Sequence, residues 1–217
     1  MGQGGLWDGG SILMSMIALF DNFFFTFLHG LSGQSVFVDA LIVFVASFLP
    51  FLFCVGVIGY AGLCVYQRTR RFPRRHTLSD FEGALLVAGL FAASIAHTIA
   101  SSVQEIVARP RPYVVLGVSH LFSVGTWSFP SGHAAALFAL AAALRPFHRS
   151  LGAVAYLVAF LVALARVASG VHYPTDIIAG AILGVIVGSI SARLVLWLVR
   201  YERKMVRERV LSTKQRM

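Results

Sequence analysis

Three short stretches of this chain carry side chains that could do chemistry together. They are residues 104–112 (QEIVARPRP), 129–133 (FPSGH) and 165–176 (ARVASGVHYPTD). Between them they supply Arg109, Arg111, Arg166, His133, His172, Ser131 and Asp176. This set suits a phosphate. Arginine presents planar, forked donors that match phosphate oxygens. Ser131 and Gly132 read as the start of a helix, where free N–H groups and the helix dipole favour an anion. Glycine at that place lets the backbone approach closely. Two histidines then allow one nucleophile and one general acid.

Those stretches have to be brought together, and the apolar segments between them say how. The 217 residues are 58% hydrophobic and only 12% charged, with a mean hydropathy of +0.79. Soluble domains are about 45–50% apolar and about 25% charged. The solvent for most of this chain is therefore lipid, which excludes soluble enzymes, disulfide scaffolds and disordered chains. A membrane-crossing helix needs about 20 apolar residues. Residues 36–66, 83–103, 131–144, 151–168 and 176–198 read as spans, with Pro50 a bend in the first and the third short and rich in alanine. An earlier segment, 11–29, carries Asp21 and Asn22 at its middle. It reads as a helix lying in the interface, with a sixth span as the alternative. The expected architecture is all-α, a single polytopic bundle of five to six membrane helices over residues 1–217.

The cations orient this bundle. Arg68, Arg70, Arg71, Arg74 and Arg75 fall between the first two spans, Arg145 and Arg149 between the third and fourth, and seven more after Leu198. These 14 of 18 share one side if the chain crosses five times, and the positive-inside rule puts that side in the cytoplasm. The tail 200–217 then reads as a cytoplasmic anchor touching anionic lipid. A nucleic-acid partner is not needed to explain the net charge of +9. Arg193 is near enough to the cytoplasmic end to snorkel. Arg109, Arg111 and Arg166 belong to the outer end, and charge at membrane depth is costly enough to mark function. The N-terminal run MGQGGLWDGG has no Lys or Arg and so lacks the charged region of a signal peptide. Cys54 and Cys64, ten residues apart in one apolar run, stand about 15 Å apart on a helix, too far for a disulfide.

The three stretches, in order and at the outer helix ends, resemble the signature of the type 2 phosphatidic acid phosphatase superfamily: KxxxxxxRP, PSGH and SRxxxxxHxxxD. Arg111-Pro112 matches the first, Pro130 to His133 the second, and Arg166, His172 and Asp176 the third. The ARPRPY and SFPSGH runs are most similar to those of bacterial undecaprenyl-diphosphatases of that superfamily. Two positions depart from the pattern: Gln104 stands for the lysine and Ala165 for the serine. Arg109, close to Arg111, is a candidate to replace the missing cation.

The resemblance implies roles. His172 would attack phosphorus and form a phosphohistidine. Asp176 would hold its ring and stabilise the imidazolium. His133 would protonate the leaving oxygen and then activate water. Arg111, Arg166, Ser131 and Gly132 would bind the phosphoryl oxygens, with Gln104 and Arg109 beside them. No metal or cofactor is expected, since only Glu105 and Asp176 lie near as carboxylates.

Plainer readings exist for some of these residues. Arg109 could pair with Glu105 one helical turn earlier. His97, Gln104 and Arg111 share a seven-residue spacing, and a polar contact between helices is the plainer role for His97. Asp21 and Asp39 mark the outer interface, and Tyr113, Trp127 and Tyr173 fit an aromatic belt or a lipid entrance. The expected function is hydrolysis of undecaprenyl diphosphate in the outer leaflet of the plasma membrane, recycling a cell-wall carrier lipid with a bearing on antibiotic resistance. Phosphatidic acid, phosphatidylglycerophosphate and lipid A phosphates are the alternative substrates. A phospholipid-binding pseudo-enzyme and an anion transporter are the rivals, and the oligomeric state is open.

Overall fold

A computed structural model describes residues 9–71, 82–125 and 127–215. Arg74, Arg75 and Arg216, and most of the N-terminal run, lie outside the described residues. The elements are α1 (Gly9–His29), α2 (Val36–Val43), a π-helical turn (Phe44–Phe48), α3 (Leu49–Arg71), α4 (Glu82–Val107), the short α5 (Pro112–Leu116), α6 (Gly132–Leu144), α7 (Arg149–Ala168) and α8 (Pro174–Gln215). No strand occurs among the described residues.

Five helical stretches are long and apolar enough to cross a membrane: 12–29, 36–67, 86–107, 149–168 and 174–208. This is not the set the hydropathy pattern alone suggests. The third expected span, α6, has 13 residues, about 20 Å of helix against a hydrocarbon core of about 30 Å. It is short because it is central. α4, α7 and α8 all pack on it, and 10 of its residues are buried, so α6 faces protein rather than lipid. Alanine dominates it because close approach on every side leaves room for little more. Large apolar side chains such as Phe91, Leu157, Phe160 and Ile186 point outward instead.

The α6–α8 contact is the closest. Gly180, Gly184 and Gly188 repeat at four-residue spacing and follow the backbone at Ser131, Ala135 and Ala139. A Cβ on any of the three would strike a carbonyl oxygen of Ser131, Ala135 or Ala139. The match of 180 with 131, 184 with 135 and 188 with 139 makes α6 and α8 parallel. Their N-termini therefore lie side by side, and a hydrogen bond from the Ser131 N–H to the Asp176 carbonyl (2.9 Å) joins them.

The segment 11–29, expected to lie in the interface with a sixth span as the alternative, forms α1, which is long and apolar enough to cross a membrane. Asp21 meets Thr175, the Phe25 ring lies tilted against Tyr173 (5.9 Å) and His29 Nδ1 meets the Ala168 carbonyl (3.0 Å). These three residues share one helix face, and these partners belong to the ends of α7 and α8 and the turn between them; Asp21 also meets Arg109, in the loop after α4. α1 thus runs across those ends. Its remaining faces expose Ile12, Met14, Leu19, Phe23 and Phe27.

The first long span is irregular beside Pro50, the expected bend. The π-helical turn Phe44–Phe48 ends two residues before that proline. Pro50 has no N–H to offer the carbonyl four residues earlier, that of Ala46. α8 has 42 residues, about 63 Å, so its last turns stand clear of the hydrocarbon and carry the tail cations.

Candidate active site

The N-termini of α6 and α8 and the C-termini of α4 and α7 meet at one end of the bundle. Most residues expected to do chemistry converge there. His172 is at the centre, 1% exposed, in the turn between α7 and α8. Its Nε2 lies 3.3 Å from Arg111 Nη1 and 3.5 Å from Arg166 Nη2. Guanidinium groups only donate, so Nε2 is the unprotonated nitrogen. The proton then sits on Nδ1, which stands 3.5 Å from Asp176 Oδ2 and has no closer partner. Burial holds the imidazole at about 4, well below its ordinary value. The Asp176 contact works against that shift, and the Arg166 and Arg111 charges add to it. His172 is therefore neutral at pH 7, with its Nε2 lone pair facing two arginines.

Each arginine is held by backbone carbonyls. Arg111 precedes α5, with Pro112 at the first helical position. It donates Nε to the Gly125 carbonyl and Nη1 to that of Val171 (2.8 Å). Burial lowers the Arg111 pKa from its ordinary value, against the raising effects of Tyr113 and Asp176. Arg166, on the last turn of α7, is 3% exposed. Its Nη1 reaches the Ala46 carbonyl that Pro50 leaves free (3.5 Å), while its Nε is buried with no partner. Both guanidiniums keep donors directed at the space beside Nε2.

Ser131 caps α6: its hydroxyl accepts the Ala134 N–H (3.5 Å), which leaves its proton to give elsewhere. Gly132 follows, packed so closely beside His97 that a Cβ would stand 2.8 Å from that ring. His133 is on the same first turn, half-buried, with its ring edge-on to His97 at 6.2 Å. His97 is thus a contact between α4 and α6 at the site.

Gln104 and Arg109 are engaged by protein groups. Gln104 Nε2 donates to the Pro130 carbonyl at 2.7 Å and so braces the turn before Ser131. Arg109 lies across two carboxylates. Its Nη1 donates to Asp176 Oδ1 (2.7 Å) and Thr175 Oγ1 (2.8 Å), and its Nη2 to Asp21 Oδ2 (2.7 Å). The helix pair with Glu105 is not made; Glu105 instead accepts from Trp127 Nε1 (3.2 Å). Burial opposes the Arg109 charge, but Asp176 and Asp21 outweigh it and raise its pKa.

Asp21 and Thr175 are the site residues that motif reading missed. Asp21 is 1% exposed and accepts from Thr175 N–H (2.9 Å) and Oγ1 (2.6 Å) besides Arg109. The available signal was a carboxylate in the middle of an apolar run, which is costly unless it is paired. Ser128 is a further contributor: its N–H and hydroxyl bond the Arg109 carbonyl (2.8 and 3.2 Å), fixing the loop that carries both arginines.

Residues 86–200 match the model of the PAP2 superfamily. The undecaprenyl-diphosphatase BcrC of Bacillus subtilis is 26% identical over 172 residues, covering 78% of this chain and 81% of that one. A decaprenylphosphoryl-5-phosphoribose phosphatase of Mycobacterium tuberculosis is 39% identical over 139 residues, covering 63% of this chain and 70% of its own. The crystal structure of Aquifex aeolicus LpxE aligns with 83% of this chain and 94% of its own at a TM-score of 0.53 and 23% identity, a likeness of fold.

Proposed function

The chain belongs to the PAP2 superfamily of membrane lipid phosphatases, and from that premise we propose that it removes the terminal phosphate of undecaprenyl diphosphate. The carrying observation is the setting of His172, with Nε2 between Arg111 and Arg166 and Nδ1 toward Asp176. In the first step His172 Nε2 bonds to the terminal phosphorus and the bond to the bridging oxygen breaks. His133, protonated once the phosphate anion offsets the arginine charges beside it, gives that oxygen its proton, and undecaprenyl phosphate leaves. In the second step neutral His133 takes a proton from water. The water oxygen bonds to phosphorus, the N–P bond breaks, and inorganic phosphate leaves. Asp176 stabilises the cationic ring of His172. Arg111, Arg166, the Ser131 hydroxyl and the Gly132 N–H hold the charge that spreads over the phosphoryl oxygens.

Two observations support this lipid and its leaflet. The Bacillus subtilis relative is named for undecaprenyl diphosphate and the Mycobacterium tuberculosis relative for a decaprenyl-linked phosphate. Both names specify long polyprenyl chains. The second observation is charge. Arg145 and Arg149 and the cations of α8 lie at the end of the bundle opposite His172, which favours a site at the outer leaflet of the plasma membrane.

The test is a substrate panel on purified protein with and without EDTA. Undecaprenyl diphosphate is compared with phosphatidic acid, phosphatidylglycerophosphate and a lipid A phosphate. Preferred release from the polyprenyl substrate, unaffected by EDTA and abolished in His172→Ala, is expected. Release from none of them would favour a binding protein without turnover. Full activity in His172→Ala would sink the mechanism.

A further inference from the structure

Asp21 lies 88 residues before Arg109, on a helix that no motif reaches, yet its carboxylate is fully engaged at the site. Its Oδ2 accepts from Arg109 Nη2 and Thr175 Oγ1, and its Oδ1 accepts the Thr175 N–H. Arg109 then reaches Asp176 with its other terminal nitrogen. The ring of Tyr173 lies against the guanidinium, 4.1 Å from ring centre to Cζ. One cation is thus shared by two buried carboxylates, and the second of them faces His172.

We propose that Asp21 is a positioning residue that shares Arg109 with Asp176 and so leaves the Asp176 charge to serve His172. Helix α1 is then part of the catalytic apparatus. The inference rests on the reading above, in which His172 is the nucleophile and Asp176 its partner.

Charge counting supports the assignment. Asp176 has two oxygens. Oδ2 faces the Tyr173 N–H (2.8 Å) and His172 Nδ1, and Oδ1 is bonded by Arg109. With Asp21 present, two carboxylates surround one guanidinium, and one negative charge remains for the ring that turns cationic. Without Asp21, Arg109 and Asp176 form a private pair of zero net charge. The attack then develops positive charge on His172 against Arg111 and Arg166 with no counter-charge beside it. Those two arginines, His133 on α6 and Asp176 on α8 are the charged and titratable groups facing His172. In a buried site such an imbalance acts at short range and is poorly screened.

The same contacts have a second geometric effect. Thr175 is the second residue of α8, and Asp21 takes both its N–H and its hydroxyl, as an N-cap would. The α8 N-terminus, which carries Asp176, is thereby fixed from outside the bundle.

A simple staple between α1 and the bundle would use the same contacts, so the test must separate the two. Asp21→Asn keeps the shape and the amide oxygen toward Thr175 but removes the charge. Charge sharing predicts a fall in kcat of about tenfold with KM within about twofold, the effect of roughly one pKa unit at His172. Adding Arg109→Gln removes the unbalanced cation and is expected to restore part of the lost kcat. A staple predicts that the double variant is no better than the single one. Wild-type kcat in Asp21→Asn, or a double variant as slow as the single one, overturns the proposal. If Asp21→Asn does not fold, the double variant carries the test, with activity expected within about tenfold of wild type; a larger loss overturns it. If the wild-type protein releases no phosphate, the catalytic reading has failed instead. Titration of 15N-labelled His172 by NMR then decides the charge sharing alone: a lower pKa in Asp21→Asn supports it, and an unchanged one overturns it.

Discussion

Nδ1 of His172 stands 3.5 Å from Oδ2 of Asp176, four residues later in the chain. The contact is loose for an ion pair, and Asp176 is at the same time bonded by the Tyr173 N–H and by Arg109. The carboxylate is pre-set in place while the ring is neutral, ready for the charge that attack creates. Asp176→Asn keeps the shape and removes that counter-charge. The expected loss in kcat is about 10²- to 10⁴-fold, with retained substrate binding. Steady-state kinetics of the folded variant check it, and a loss confined to KM would contradict the role.

Among the described residues the Arg166 guanidinium has two hydrogen-bond partners and the Phe122 ring beside it, and its buried Nε has no hydrogen bond. A planar fork is what a phosphate would use there. Arg166→Lys keeps the charge but not the fork. kcat/KM on the polyprenyl substrate is expected to fall about 10- to 100-fold, corresponding to one or two charge-assisted hydrogen bonds. Near-wild-type kinetics would show that only the charge matters.

Gln104 stands where the family motif has lysine, and its amide holds the Pro130 carbonyl at 2.7 Å. Gln104→Leu leaves that carbonyl without its side-chain donor and loosens the turn that sets Ser131 and His133. The expected effect is a fall of about tenfold in kcat with a lower Tm. Gln104→Lys can still donate to Pro130, so it is expected to lie between the wild type and the leucine variant in Tm. If Gln104→Leu is as stable and active as wild type, the bracing role is wrong.

The glycine series on α8 sets how closely the two halves of the site approach. Gly184→Leu places a side chain where Ala135 and Ala139 backbone atoms already lie. Overpacking of this kind costs about 1–3 kcal/mol or more. A lower Tm in detergent and loss of phosphatase activity are expected together. Substitution of lipid-facing Ile186, which is 52% exposed, by leucine should change neither.

Acid should weaken the fold partly through His172. Its pKa in the folded protein is about 4, below the 6.5 of a free imidazole. As the pH falls from 6.5 toward 4 the unfolded chain binds a proton that the folded one refuses, so stability is lost over that window and not above it. Thermal unfolding between about pH 7 and about pH 4.5 should show a shallower decline in His172→Gln than in wild type. Parallel curves would refute a neutral, buried His172.

The sequence by itself determined the solvent, the fold class and the three motifs. Each of these is a matter of composition or of spacing within one helix end. Segment 131–144 was recognisable as a membrane helix only because Arg145 and Arg149 needed it. Its true character, a short helix enclosed by others, is a packing fact that hydropathy does not encode, since lipid and protein interiors are equally apolar. The partners of Arg109 were also beyond reach. Asp21 is 88 residues away in sequence, and only the lay of α1 across the ends of α7 and α8 brings the two together. The Ala46 carbonyl that meets Arg166 is 120 residues away and is open because Pro50 lacks an N–H. Local spacing fixes which chemistry a helix end can offer. Tertiary structure decides which of those groups stay free for substrate, because buried charges take whatever partners the fold brings within reach.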